Sequence, residues 1–152
     1  MIKKKLIDLY PYRLDTDKPE YLLLRRSAAH IYAGQWRMIG GKVRENEMYW
    51  QAALRELKEE TGLTPETLWV IPGVNQFYEP KTDQIHTIPA FAARLSPGSI
   101  ITLDAEHSEF DWFPIEKAIK MILWPEQVRL LQLTDHILTS SKILDDWLVS
   151  IY

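Results

Sequence analysis

Short apolar runs separated by polar turns recur along the chain and predict the strands of a sheet. The clearest runs are residues 5–12, 21–24, 36–39, 68–78, 85–95 and 110–113. The segments 15–19 and 79–83 combine proline with acidic residues, a composition typical of turns. We therefore expect the first two runs to pair with each other, and the middle of the chain to be mostly sheet.

Three segments with helical signals interrupt this pattern. The first spans residues 47–61, where Asn46 is a suitable N-cap and Gly62 supplies a stop signal. Two more helices are predicted after Pro114 and Pro125, because proline is favoured in the first turn of a helix. Helices that flank a mixed sheet indicate a layered α/β fold.

The domain organisation is predicted to be simple. The sequence contains no internal repeat, low-complexity tract or linker, so residues 1–152 are expected to form a single domain. The C-terminal segment 143–149 is apolar at several positions. It is interpreted either as a helix that docks on the domain or as an interface, and the sequence does not choose between these readings.

Composition and charge narrow the classes of function. A net charge of -3 argues against stable nucleic-acid binding, which usually needs a basic surface. Because the chain contains no cysteine, any catalysis must use oxygen and nitrogen groups. The apolar stretch near the N-terminus ends at Asp8, too early for a signal peptide or a membrane span. A cytoplasmic protein without membrane association is the resulting prediction.

The first predicted helix concentrates negative charge. Glu56, Glu59 and Glu60 are spaced i, i+3 and i+4, which places three carboxylates on one helical face. Like charges at these spacings destabilise a helix by a few tenths of a kcal/mol per pair, so the face calls for a compensating cation. The alternative is a solvated face on which Arg55 disperses the charge. A separate apolar stripe for burial is formed by Trp50, Leu54 and Leu57.

The residues around this helix fit a specific pattern, G-x5-E-x7-R-E-U-x-E-E-x-G-U, in which U is a bulky aliphatic residue. Every specified position is matched, by Gly41, Glu47, Arg55, Glu56, Leu57, Glu59, Glu60, Gly62 and Leu63. The segment 41–63 therefore resembles the Nudix box of the Nudix hydrolase family. One departure is Ile39, which stands where many relatives have proline before the glycine pair.

The resemblance implies a fold, a cofactor and a set of site residues. The family has an α/β/α sandwich with a mixed sheet, and the box forms a loop-helix-loop. It implies a site for Mg²⁺, with Mn²⁺ as the alternative ion, held by Glu56, Glu59 and Glu60 together with the carbonyl of Gly40. It also implies that Arg55 and Glu47 orient the helix carboxylates. Oxygen ligands of this kind suit magnesium, which keeps several waters and is completed by substrate phosphates.

The general base has two candidates. Family members use either a box glutamate, here Glu56, or a glutamate from a loop outside the box. Residues 103–112 resemble the stretch in which many relatives place that outer glutamate, with Glu106 the first choice and Glu109 the second. Glu106 is therefore predicted as a catalytic residue and as an outer metal ligand, and His107 as a neighbour of the site.

Substrate contacts are predicted outside the carboxylate set. Lys42, Arg44 and Arg26 are candidates for binding phosphates, and Trp36 and Tyr78 for stacking on a nucleobase. Each has an ordinary alternative, since single basic residues usually solvate a surface and aromatic residues usually pack in a core.

The substrate class follows from two short segments. Residues 36–41 and 106–112 look most like the bacterial branch that cleaves dATP or dihydroneopterin triphosphate to a monophosphate and pyrophosphate. Alternatives are an ADP-ribose, nucleotide-sugar or oxidised-nucleotide hydrolase, and a nucleotide-binding module without catalysis. A third reading is an acidic helix that packs or recruits a partner. The expected partner is a small nucleotide, and the resemblance implies a homodimer as one assembly.

Overall fold

The computed structural model describes residues 4–152, and the first three residues of the predicted domain lie outside this range. Its strands are β1 (Leu6–Arg13), β2 (Glu20–Arg26), β3 (Trp36–Arg37), β4 (Ile39–Lys42), β5 (Thr67–Glu79), β6 (Gln84–Arg94), β7 (His107–Phe113) and β8 (Leu148–Val149). Its α-helices are α1 (Tyr49–Thr61), α2 (Ile115–Met121) and α3 (Pro125–Ser140). A 3-10 helix, Asp145–Trp147, precedes β8.

All eight strands belong to one mixed sheet. Its main order is β3-β2-β1-β6-β5-β8, with β4 paired to β1 and β7 paired to β2. β1 runs parallel to β6, with Leu9 beside Phe91, while β4 runs antiparallel to β1, with Gly41 beside Ile7. Because β4 pairs with β1, β4 and the loop that leads into α1 lie beside this central strand.

Apolar side chains form a core on each face of the sheet. Alternate residues of a strand point to opposite faces, so Ile7 and Leu9 join α1 in one core, while Tyr10 and Tyr12 join α2 and α3 in the other. In the second core the indole of Trp69 donates a hydrogen bond to the Tyr12 hydroxyl at 3.0 Å. The predicted α/β/α sandwich with a mixed sheet is confirmed.

The start of α1 differs from the prediction. Met48 is the N-cap, and Asn46 lies earlier in the loop with a φ of 65°. Glu47 is therefore outside the helix, where its Oε1 accepts a hydrogen bond from the Arg44 backbone N–H at 2.9 Å. The local bond from Glu47 shapes a turn, and the helix begins only after it.

The strand predicted at residues 36–39 is divided in two. β3 pairs with β2 through Trp36 and Arg37, whereas β4 pairs with β1 and extends to Lys42. Gly40 and Gly41 therefore lie within a strand, beyond the predicted end of the run at residue 39. The chain changes its partner strand between Arg37 and Ile39, a tertiary event that short periodicity does not encode.

The C-terminal segment docks on the sheet, but not as an α-helix. Its 3-10 helix places the Trp147 ring in a stack on Trp69, with ring centroids 6.3 Å apart. β8 then pairs with the start of β5, where Leu148 lies beside Trp69.

Among residues 4–152, no helix has both the length and the apolar character needed to cross a bilayer.

Candidate active site

Arg55 joins the loop before α1 to the helix itself. Its Nε donates to Glu47 Oε2 at 2.8 Å, and its terminal nitrogens donate to Glu56 Oε1 at 2.9 Å and to the Lys42 carbonyl at 2.7 Å. A further bond reaches Glu59 Oε2 at 3.2 Å. The bonds from Arg55 lower the pKa of Glu47 to about 2. This guanidinium therefore fixes the carboxylate helix relative to the loop that leads into it.

Gly41 and Glu56 are in close contact. A Cβ atom at Gly41 would lie 2.3 Å from the Oε1 atom of Glu56, far inside van der Waals contact. The backbone of β4 therefore passes directly against this carboxyl group. Burial raises the pKa of Glu56, while its hydrogen bond with Arg55 acts in the opposite direction.

Glu60 is the most enclosed carboxyl group of the helix. Its side chain is 5% exposed, and its Oε2 atom has no hydrogen-bond partner among the described residues. Burial, followed by the charges of Glu56, Asp104 and Glu106, raises the pKa of Glu60 to about 9. A buried, unpartnered carboxylate oxygen next to other acids is the environment that a bound cation would stabilise.

Glu106 approaches the helix from the loop before β7. Its Oε2 lies 3.2 Å from a terminal nitrogen of Arg26, and its carbonyl accepts the Ser27 N–H at 2.9 Å. After burial, which is the largest cause, the charge of Glu106 also raises the pKa of Glu56 and of Glu60, so Glu106 lies within electrostatic reach of both helix carboxyl groups. Glu109, the second candidate, instead pairs with Arg25 on β2.

Two further residues of this loop belong to the site. His107 begins β7, three residues before the predicted strand, and its Nε2 lies 3.3 Å from Glu60 Oε1. Its other ring nitrogen, Nδ1, lies 2.8 Å from Asp104 Oδ1. From the sequence, His107 was predicted only as a neighbour of the site, and Asp104 was not among the candidates. Their spacing around Glu106 is visible in the sequence, but their approach to α1 depends on the tertiary fold.

The residues present fit a divalent cation of the magnesium type. Glu56 and Glu60 supply carboxylate oxygens, and Glu59 lies on the same helix with its side chain 46% exposed. Ligand atoms of Glu60, Asp104 and His107 lie within 4.8 Å of one another. Hard oxygen donors with an orphaned buried oxygen among them suit magnesium or manganese.

The three predicted phosphate-binding residues have different surroundings. Arg44 and Lys42 lie in or next to the box loop with exposed side chains, and Arg44 also pairs with Glu59 at 3.2 Å. Arg26 is directed to Glu106 and also donates to the Ile31 carbonyl at 3.2 Å. The guanidinium of Arg26 therefore supports the loop that carries Glu106.

The two predicted stacking residues also differ. The Trp36 ring packs edge-on against Phe113, with centroids 5.7 Å apart, and forms part of the core beneath α2 and α3. Tyr78 lies near the tip of the β5–β6 hairpin, where its hydroxyl donates to Asp83 at 2.7 Å. Its side chain is exposed there, while the described contacts of the carboxylate site come from β4, the loop before α1, α1 itself, β2 and the loop before β7.

The sheet, the loop-helix arrangement and the converging carboxylates define a family. Residues 11–134 match the model of the NUDIX domain, so the chain belongs to this family. It is 33% identical over 130 residues to the asymmetrical bis(5'-nucleosyl)-tetraphosphatase of Caenorhabditis elegans, covering 84% of this chain and 91% of that protein.

Two other proteins extend this comparison. The chain is 29% identical over 111 residues to an oxidized purine nucleoside triphosphate hydrolase of Mus musculus, covering 72% of this chain and 68% of that one. The crystal structure of a C. elegans Ap4A hydrolase binary complex superposes with a TM-score of 0.71 and 30% sequence identity, covering 88% of this chain and 98% of that chain. The similarity thus extends well beyond the box.

Proposed function

We propose that this protein hydrolyses a phosphoanhydride bond in a nucleoside polyphosphate with the help of Mg²⁺. The observation that carries the proposal is the set of acidic groups around Glu60, whose buried Oε2 atom has no hydrogen-bond partner among the described residues. Burial first, and then the charges of Glu56, Asp104 and Glu106, raise the pKa of Glu60. Such a group is stabilised as a carboxylate when it shares a cation with its neighbours and with a polyphosphate. Membership of the family and its nucleotide-hydrolysing relatives support the same reaction.

The proposed site residues have two kinds of role, which are binding the metal and accepting a proton from water. Glu56, Glu59 and Glu60, with the Gly40 carbonyl, would hold the metal, which polarises a phosphoryl oxygen and acidifies water. Arg55 and Glu47 orient these carboxylates. Glu106 is the proposed general base. Its side chain is 53% exposed to water, whereas Glu56 is bound by Arg55 and pressed against Gly41.

A dinucleoside tetraphosphate is the first substrate candidate. The relative with this activity aligns over most of both chains, at 84% and 91%. Lys42 and Arg44, which are exposed in or next to the box loop, would bind those phosphates of a long polyphosphate that lie beyond the carboxylates. The net charge of -3 supports a small nucleotide as partner in preference to nucleic acid.

A nucleoside triphosphate of the dATP or dihydroneopterin type is the second candidate. Residues 106–112 favour it, because they contain the glutamate and the tryptophan-bearing strand of that branch. Base stacking by Trp36 or Tyr78 stays a prediction for both candidates.

Product analysis on a substrate panel with Mg²⁺ separates these candidates. Asymmetrical cleavage of Ap4A would release ATP and AMP, whereas dATP or dihydroneopterin triphosphate would yield a monophosphate and pyrophosphate. Reaction in ¹⁸O-labelled water identifies the phosphorus that is attacked. Release of orthophosphate alone would exclude both substrate candidates, because neither product pattern contains it. Rapid cleavage of ADP-ribose with no turnover of any polyphosphate would overturn the proposal.

Variants test the assignment of the carboxylates. Glu106→Gln is expected to lower turnover by about 100-fold or more, because general base catalysis contributes typically 10²–10⁴-fold. Glu60→Gln is expected to have an effect of similar size, because it removes a proposed metal ligand. Glu116→Gln, on the exposed surface of α2, is the matched control and should keep full activity. Tight nucleotide binding with no turnover in the unaltered protein would instead identify a non-catalytic module.

A further inference from the structure

We propose that His107 is a positioning residue that holds Glu60 in one orientation as a metal ligand. The inference rests on the proposed metal-binding role of Glu60. His107 and Glu60 are both buried, with side chains 4% and 5% exposed, and their nearest atoms, Nε2 and Oε1, are 3.3 Å apart. A charged or polar contact in such a dry environment is much stronger than the same contact at a surface.

The two oxygens of Glu60 are in different situations. Oε1 faces the imidazole of His107, whereas Oε2 is buried without a hydrogen-bond partner among the described residues. One oxygen is thus occupied by the protein, and the other remains available to a cation. A long glutamate side chain loses considerable rotamer freedom when fixed in this way, so the fixing must come from its neighbours.

His107 is itself held from behind. Its Nδ1 lies 2.8 Å from Asp104 Oδ1, a short contact that sets the plane of the ring. The loop carrying Asp104 is fastened to the end of α1, because the Thr102 N–H donates to the Thr61 carbonyl at 2.9 Å. On its other side, His107 is paired with Arg26 in β2. The orientation of Glu60 is therefore determined by α1 and the neighbouring strands together.

The negative charges nearby explain why Glu60 needs such support. Glu56, Asp104 and Glu106 all repel the charge of Glu60, in addition to the effect of its burial. Without a fixed partner, its carboxylate would turn away from them and away from a shared cation. Partners of this kind behind metal ligands typically affect metal affinity 10- to 100-fold. Positioning by His107 would therefore be measurable as metal affinity.

The test is Mn²⁺ binding to the full-length protein, measured by electron paramagnetic resonance without nucleotide. His107→Ala is expected to weaken Mn²⁺ binding by about 10- to 100-fold. Much of kcat should return at saturating Mg²⁺, since the ligand set is intact. His107→Gln, whose amide offers both a donor and an acceptor to Glu60, should bind Mn²⁺ more tightly than His107→Ala. His136→Ala, on the exposed side of α3, is the control and should bind as the unaltered protein does.

Three outcomes would overturn the inference. One is unchanged Mn²⁺ affinity in His107→Ala. Another is imidazole nitrogen coupling in the electron spin echo spectrum of the Mn²⁺ complex, which would make His107 a ligand. If His107→Ala does not fold, Asp104→Asn is measured instead. An unchanged Mn²⁺ affinity of Asp104→Asn would contradict the proposed support of the His107 ring by Asp104. Binding is measured without nucleotide, so a wrong substrate assignment leaves it intact. Unaltered affinity in Glu60→Gln would instead refute the metal role of Glu60.

Discussion

Gly41 is the residue at which backbone position and the carboxylate site are most directly coupled. Alanine at this position would place its Cβ 2.3 Å from Glu56 Oε1, so the carboxyl group must move. Gly41→Ala is expected to lower kcat by roughly 100-fold, since a displacement of about 1 Å can have such an effect. Gly73→Ala is the matched control, because its Cβ would meet a terminal methyl group of Leu130 at 3.1 Å, on the face of the sheet opposite to α1. Steady-state kinetics and thermal melts check both variants, and equal activity would contradict the contact.

Asp8 is a carboxyl group buried on the α3 side of the sheet. Its Oδ2 accepts hydrogen bonds from Asn75 at 2.9 Å and from the Tyr10 hydroxyl at 3.5 Å. Burial nevertheless raises the pKa of Asp8 from 3.8 to about 6, against the opposing effects of these bonds and of Arg37. The folded protein therefore holds the Asp8 proton more tightly than the unfolded chain does.

The sign of the resulting pH dependence follows from this difference. Below pH 3.8 both states hold the proton and Asp8 adds no penalty, whereas above pH 6 both have lost it and the penalty is complete. Asp8→Asn is therefore expected to raise the free energy of unfolding at pH 7 by roughly 1–3 kcal/mol, and to give little advantage near pH 3.5. Urea unfolding at both pH values tests this, with exposed Asp17→Asn as control. The same gain at both pH values would refute the titration of Asp8.

The loop before α1 and the helix act as one element because of Arg55. Its planar guanidinium reaches Glu47, Glu56 and the Lys42 carbonyl at once, which an ammonium group cannot reproduce. Arg55→Lys should therefore reduce kcat by roughly 10- to 100-fold through loss of orientation. Arg13→Lys, in the partly exposed pair with Glu20, is the control. Urea unfolding of both variants separates loss of orientation from loss of fold, and full activity in Arg55→Lys would contradict this role.

Element prediction succeeded where local signals and tertiary contacts agree. The end of α1 is an example, because Gly62 adopts a φ of 79° and its N–H bonds the Lys58 carbonyl, as the sequence indicated. The predicted start of α1 was wrong. Asn46 and Glu47 resemble capping residues, but they lie in a turn before the helix, where Glu47 accepts hydrogen bonds from Arg44 and Arg55. Single-residue preferences cannot show that a distant guanidinium competes for the same carboxylate.

At the scale of the whole molecule, the sheet separates the carboxylate site from the stack of Trp147 on Trp69. The box helix and its glutamates pack on one face, and their spacing was legible in the sequence because a single helix carries them. The contribution of Asp104 and His107 could not be predicted from the sequence, because it arises only when the loop before β7 packs against α1. The other face carries the stack of Trp147 on Trp69. For this part of the chain, the sequence predicted only a docking helix or an interface.

This separation predicts that stability and activity can be altered independently. Trp147→Ala removes the stack on Trp69 and is expected to lower the free energy of unfolding by about 2 kcal/mol, below the 3–5 kcal/mol of a fully buried tryptophan. Leu148→Ala, with its side chain half-exposed, should have a much smaller effect. Because the glutamates lie across the sheet, kcat and Mn²⁺ affinity per folded molecule should not change at 20 °C. Loss of either in the folded variant would show that the two faces are coupled, and concentration-dependent stability in the unaltered protein would point to an interface at this segment.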